Sequence, residues 1–225
     1  MNNLLAIIEF YQILFAMKTP SEQLNQILET FGVHPRAATV EAVLAYTEML
    51  VRWNRRINLT GIREPVEIWR RHFGESFYLA RLVDLGSGRL VDIGSGAGFP
   101  GLALKLVCPS LDVTLLEAVG KKAAFLAEVV RQLGLKRVEI VRQRWEEWRK
   151  GKSTGAVDFI TLRGIGDQEC IVADAAHLLG RGGRIILLVS ALDAVRIAES
   201  SSLYDWRSEK IPGAQRSVVL IGCRT

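Results

Sequence analysis

Between residues 91 and 101 the chain reads Val91-Asp92-Ile93-Gly94-Ser95-Gly96-Ala97-Gly98-Phe99-Pro100-Gly101. Small residues of this kind let backbone N–H groups come close to a ligand, and a helix opening behind them favours negative charge. A second acid, Glu117, closes the apolar run Val113-Thr114-Leu115-Leu116, 25 residues after Asp92. A carboxylate at such a strand end can accept from both hydroxyls of a ribose. Two further stretches leave apolar runs in the same manner: Arg142-Gln143-Arg144-Trp145-Glu146-Glu147, and Arg163 at the end of Phe159-Ile160-Thr161-Leu162. In open α/β sheets ligands sit outside the carboxyl ends of the strands, so all four places face one crevice.

The glycine loop has two readings. Gly96, Gly98 and Gly101 match G-x-G-x-x-G, the dinucleotide signature. Asp92, Gly94, Gly96 and Gly98 instead give D-x-G-x-G-x-G, the loop of S-adenosylmethionine-dependent methyltransferases. Asp92 discriminates: a carboxylate there can serve the cationic amino-acid end of S-adenosylmethionine, directly or through water, whereas it repels a pyrophosphate. Glu117 is compatible with either nucleotide class. At the loop after the third strand, Trp145 and Glu146 are candidates to hold an adenine, by an apolar ring and a polar group on its edge. Arg163 is expected to point into the crevice. The similar Leu85-Gly86-Ser87-Gly88 is not followed by a helical pattern and reads as a turn.

Composition narrows the partner. The 225 residues carry 29 basic against 24 acidic side chains, a net charge of +5. Only 8 of the basic residues are lysine, so 21 are arginine, whose planar fork suits phosphates and guanine edges. From Arg52 to Arg71 six arginines stand against Glu64 and Glu67; from Arg131 to Lys152 eight basic residues stand against three acidic ones. Arg55, Arg56, Arg71 and Arg142 in these runs are candidate phosphate contacts. Cys108, Cys170 and Cys223 form no C-x-x-C pair, and three scattered histidines have no metal-ligand spacing, so neither a disulfide framework nor a metal is expected. A reducing cytoplasm is the expected compartment. Leu4, Ile7, Ile8, Tyr11, Leu14 and Phe15 fall at helical spacing and are too few to span a bilayer, so an amphipathic helix is expected there, with Met17 an alternative start.

These side chains need a scaffold, and the pattern supplies one. Up to about Arg89 the periodicity is helical, with Gly32 closing the first run, a second from about Ala37 to Asn54, and Pro65 opening a third through Leu82. After Leu90 short β-branched runs (Leu90–Ile93, Asp112–Leu116, Arg137–Val141, Val157–Leu162, Arg184–Val189) alternate with helical ones (Gly101–Val107, Val119–Leu133, Gln168–Leu179). Such alternation predicts a parallel sheet covered on both faces. Trp206–Ile211 and Ser217–Leu220, separated by Pro212-Gly213 and neighbours, predict a closing antiparallel hairpin. The expected fold is therefore α/β, a Rossmann-like class I methyltransferase with a helical N-terminal region (1–89, of which 1–16 is a candidate extra extension) before the methyltransferase domain (90–225).

Together the residues resemble the ribosomal small-subunit methyltransferase G family, also called glucose-inhibited division protein B. The resemblance runs through Asn58-Leu59-Thr60, Arg71-His72 with Ser76, Asp92–Gly101, Leu115-Leu116-Glu117, Lys121-Lys122 with Phe125-Leu126, Arg144-Trp145-Glu146-Glu147 and Arg163. It implies methyl transfer from S-adenosylmethionine to N7 of one guanine of 16S rRNA, with the rRNA or the small subunit as partner. By this resemblance Gly94, Phe99, Trp145, Glu146 and Arg163 bind the cofactor, and Lys122, Arg144, Arg163 and Arg216 serve RNA or the target base. Arg163 and Arg144 are the expected base-positioning residues, since an unprotonated N7 needs no general base. Three positions depart from the family pattern: Glu75 where Asp is usual, Val189-Ser190 in place of Lys-Gly, and Gly164 in place of Ala. A nicotinamide-dependent oxidoreductase and a non-catalytic RNA-binding protein on the same fold are the competing readings.

Overall fold

The computed structural model describes residues 18–225, so the amphipathic reading of Leu4–Phe15 lies outside the described residues. The first helix, α1 (Pro20–Glu29), starts one residue earlier than Ser21 would suggest. Thr19 caps it: its Oγ1 accepts from the Glu22 N–H, while the Glu22 carboxylate accepts from the Thr19 N–H at 2.7 Å. Next come α2 (Ala37–Asn54) and a bent rod made of α3 (Pro65–Ile68), a π-helical turn (Trp69–Gly74) and α4 (Glu75–Leu82). The π turn inserts an extra residue into the helical ladder and so re-aims the side chains of Arg71, His72 and Glu75 relative to a straight helix.

From here strands and helices alternate: β1 (Arg89–Ile93), α5 (Gly101–Val107), β2 (Asp112–Leu116), α6 (Gly120–Gln132), β3 (Val138–Val141), α7 (Trp145–Trp148), β4 (Val157–Arg163), α8 (Gln168–Leu178) and β5 (Leu179–Ser190). A helix that the sequence reading did not assign, α9 (Ala191–Ser200), follows directly, capped by Ser190, which accepts from the Asp193 N–H at 3.1 Å. The hairpin β6 (Tyr204–Lys210) and β7 (Ser217–Arg224) closes the chain. β5 begins five residues before the expected Arg184, because Leu179 pairs with Val157 ahead of a register shift and the regular ladder resumes at Arg184.

All seven strands join one sheet in the order β3-β2-β1-β4-β5-β7-β6. β1 to β5 run parallel, and β7 is antiparallel to both β5 and β6. The chain winds outward from β1 in one direction and from β4 in the other, so a crevice opens beyond their carboxyl ends. The period-2 alternation of strands sorts the side chains. Leu90, Leu115, Phe159 and Ile186 join a core with α1, α2, the bent rod, α5 and α6. Val91, Ile93, Ile160, Leu162 and Leu187 join a second core with α7, α8 and α9. Asp92, Thr161 and Arg163 follow the parity of Leu90 and Phe159, which turns them toward the N-terminal helices. Among the described residues no helix is long and apolar enough to cross a membrane.

Candidate active site

β1 ends in the glycine loop, and the loop is fastened from below. Asp92 is 1% exposed; its Oδ1 accepts from the Thr161 hydroxyl at 2.7 Å and its Oδ2 from the Gly101 N–H at 3.2 Å. That second bond satisfies a free donor in the first turn of α5. A Cβ on Gly101 would lie 2.5 Å from that of Asp92, so glycine is required for this approach. Burial pushes the Asp92 carboxyl up to about 6, against the hydrogen bonds from Thr161, Ser95 and Gly101 and the charge of Arg163, which pull it down. Asp92 thus acts on the loop itself, and neither of its oxygens lies open at the strand tip.

The next anchor comes from the helical layer. Tyr46, fully buried on α2, donates its hydroxyl to the Ala97 carbonyl at 2.5 Å. Phe99 stacks between the Tyr46 ring (5.4 Å, 16°) and the His72 ring (4.6 Å, 15°) and meets the edge of Phe73. The Phe99 side chain is therefore a plug in the helical core at 6% exposure. Only its backbone is left for the cofactor that the resemblance assigned to it. At Gly98, with φ +90°, an added Cβ would press on the Tyr46 hydroxyl.

Glu117 stands at the end of β2 and closes the other side of the loop. Its Oε2 accepts from the Gly96 N–H at 2.9 Å and its Oε1 from the Val119 N–H at 2.8 Å. With two lone pairs on each oxygen, the carboxylate keeps capacity for hydroxyl donors. Val119, beside it, is exposed, and above Gly96 a Cβ would meet nothing nearer than the Gly94 carbonyl at 3.8 Å. An acid with free acceptor capacity, an apolar neighbour and open space over Gly96 fit an adenosine-type cofactor.

Trp145 is not the open ring that its place after β3 suggests. Its ring stacks on Trp148 at 6.0 Å and is 4% exposed within the second core, so it is no open face for an adenine. Two tryptophans three apart on one short helix share a face and are buried together. The Trp145 Nε1–H is buried without a partner, and Glu146 beside it is exposed. Arg144, Arg142 and Arg216 are exposed and Lys122 is half-buried. Among the described residues neither Arg144 nor Lys122 is tied to another side chain, whereas the Arg142 guanidinium lies over Gly120. Arg55 and Arg56 lie exposed just beyond α2.

At the end of β4, Arg163 donates from Nη2 to Glu75 Oε2 at 2.7 Å, and Arg71 donates from Nε to Glu75 Oε1 at 2.9 Å. Glu75 is 3% exposed, and Arg163 Nη1 is buried with no acceptor. Burial holds the Arg163 guanidinium below its ordinary range, with the Glu75 carboxylate opposing. His72 shares a 2.9 Å hydrogen bond between its Nε2 and the Thr60 hydroxyl. Burial, with Arg163 and Arg71 nearby, lowers its pKa to about 3, so the imidazole is neutral. Asn54 braces this corner by accepting from the Leu59 and Thr60 N–H groups and donating to the Thr60 carbonyl. Tyr46, Phe73, Thr161 and Asn54 were not legible as site residues, because their roles exist only across elements. The one local signal was the run Arg71-His72 with Ser76, which the π turn makes significant.

Sheet order, glycine loop and acid at the β2 end define a class I S-adenosylmethionine-dependent methyltransferase. A SAM-dependent methyltransferase from Aquifex aeolicus superposes with a TM-score of 0.57 at 16% identity, covering 72% of this chain and 94% of that one. A point mutant of MtNAS in complex with S-adenosylmethionine gives 0.58 at 14% identity, over 82% and 73%. Likeness at this identity speaks for the fold. The family model described as rRNA small subunit methyltransferase G matches residues 39–214. Proteins of that name from Xylella fastidiosa (strain M23) and Streptococcus sanguinis are 43% and 32% identical, over 72% and 86% of this chain and 74% and 82% of their own lengths. The chain belongs to the rRNA small subunit methyltransferase G family, and its cofactor is S-adenosylmethionine. Neither a nicotinamide-dependent oxidoreductase nor a non-catalytic binding protein finds support. Among the described residues no group of histidine, cysteine and acidic side chains could hold a metal.

Proposed function

We propose that the protein methylates N7 of one guanine of 16S rRNA, in the cytoplasm, on the rRNA or the assembled small subunit. The observation that carries this reading is the pairing of the fastened glycine loop and Glu117 with a half-buried Arg163 at the neighbouring strand end. Glu117 holds the ribose, and the backbone from Gly94 to Phe99 lies along the amino-acid end. Glu146 borders the adenine through its carboxylate, with the backbone of Trp145 beside it. When bound, the cofactor supplies a methyl on sulfonium sulfur, which the in-plane N7 lone pair takes while the bonding pair stays on sulfur. No proton moves, so the residues work by alignment and electrostatics. A cation directly at N7 would oppose the charge that develops there, so Arg163 belongs at O6. Arg55, Arg56, Arg71, Lys122, Arg142, Arg144 and Arg216 contact the RNA, with Arg144 a second positioning residue. The base must leave its stack to reach the crevice.

The test is incubation of the purified protein with methyl-labelled S-adenosylmethionine and small subunits from a strain deleted for the enzyme. Nucleoside mass spectrometry of the recovered 16S rRNA is expected to show 7-methylguanosine. Label on another atom, or none on either subunits or naked rRNA, would reject the reading.

A further inference from the structure

Glu75 and Arg71 line an open cleft of about 460 Å³ between the π turn and the β6–β7 loop, together with Phe31, Arg70 and Arg216, and Arg163 pairs with Glu75. We infer that this cleft receives the target guanine, with Glu75 accepting from its N1–H and 2-amino group and Arg163 Nη1 donating to its O6. The inference rests on the guanine-N7 reading above and names how the base is chosen.

The donor and acceptor capacities support it. Each Glu75 oxygen takes one guanidinium bond and keeps one lone pair, and Arg163 Nη1 is a buried donor with no acceptor of its own. The pair therefore presents two acceptor positions beside one donor. Guanine alone among the RNA bases offers the complement on one edge, two adjacent donors beside a carbonyl. Adenine and cytosine place a ring lone pair against the carboxylate, and uracil offers only one donor. A mismatched base leaves buried polar groups unpaired, and that sets discrimination in a site of this kind. With the Watson–Crick edge so held, the imidazole edge carrying N7 stays free.

The same contact favours the reaction. Methylation at N7 leaves a cationic purine whose N1–H is a stronger acid and a stronger donor. The bonds to Glu75 therefore tighten as charge develops, which is stabilisation of the transition state beyond that of the bound base. The carboxylate is also the one anion of the trio, set on the side of the base away from the attacking atom. Arg70 and Arg216 at the rim are placed for the phosphates flanking the splayed nucleotide.

The probes are 5′-GMP and 5′-IMP, which differ only in the 2-amino group, used as inhibitors of subunit methylation by the full-length protein. The wild type is expected to prefer GMP to IMP at least tenfold. In Glu75→Gln the ratio falls to near one, with affinity for S-adenosylmethionine within threefold of wild type. Glu75→Asp keeps the carboxylate and is expected to recover part of the ratio, which a merely structural loss of the Arg71 and Arg163 ties would not produce. An unchanged ratio in Glu75→Gln, a wild type indifferent to the 2-amino group, or no competition by GMP overturns the inference. Wild-type methylation of subunits at N7 alongside any of these leaves the functional reading standing and rejects this one alone.

Discussion

Replacing Asp92 by asparagine removes a carboxylate that the fold holds at 1% exposure with both oxygens engaged. Burial raises its pKa from 3.8 to about 6 in the folded protein, despite the bonds from Thr161, Ser95 and Gly101. Between those values the native state keeps a proton that the unfolded chain has released. Stability is therefore lost as pH rises through this window, present in full below the lower value and gone above the upper. At about 1.4 kcal/mol per pKa unit the loss is about 3 kcal/mol. Asparagine does not titrate, so Asp92→Asn lacks this component. Urea unfolding of the cofactor-free proteins between pH 4 and pH 7 measures it. Of that loss, about 2 kcal/mol is expected to appear across this range as a decline of wild-type stability relative to the variant, with most of the change below pH 6. Parallel stability curves for the two proteins would refute the argument that the loop is fastened by a desolvated carboxylate.

Three further substitutions test the other fastenings. Tyr46→Phe leaves the Ala97 carbonyl without its donor and is expected to cost about 1–2 kcal/mol, read as a fall of several degrees in Tm, with weaker cofactor binding by calorimetry. An unchanged cofactor Kd would mean that the helical layer does not set the loop. Gly98→Ala must adopt φ +90° against the Tyr46 hydroxyl, so a loss above about 2 kcal/mol and of measurable cofactor binding is expected; wild-type binding would contradict it. Glu117→Gln keeps an acceptor for one loop N–H but presents an amide to the other, and should raise the cofactor Kd about tenfold or more while 5′-GMP inhibition is retained. Equal Kd values would remove Glu117 from the ribose.

The local pattern of the chain determined the alternating elements, the glycine loop and the acid 25 residues beyond Asp92, because each depends on spacing within one segment. The parallel sheet and closing hairpin follow from the same periodicity, and their expected ends differ from the observed ones mainly at the start of β5 and at the end of β7, which runs to Arg224 and not Leu220. Helix α9 was missed although Ser190 caps it and Asp193, Arg196 and Ser200 fall at helical spacing on one polar face. Tertiary structure alone decided where side chains point. It turned Asp92 beneath the loop, packed Phe99 between Tyr46 and His72, buried Trp145 against Trp148, and brought Glu75 to Arg163 across 88 residues of sequence. The physical reason is that orientation depends on strand parity and on an inserted residue in a helix, and partners are chosen by packing between layers. Spacing can mark a residue as polar and placed at a strand end; only the opposite layer determines whether that residue meets the ligand or holds the groups that do.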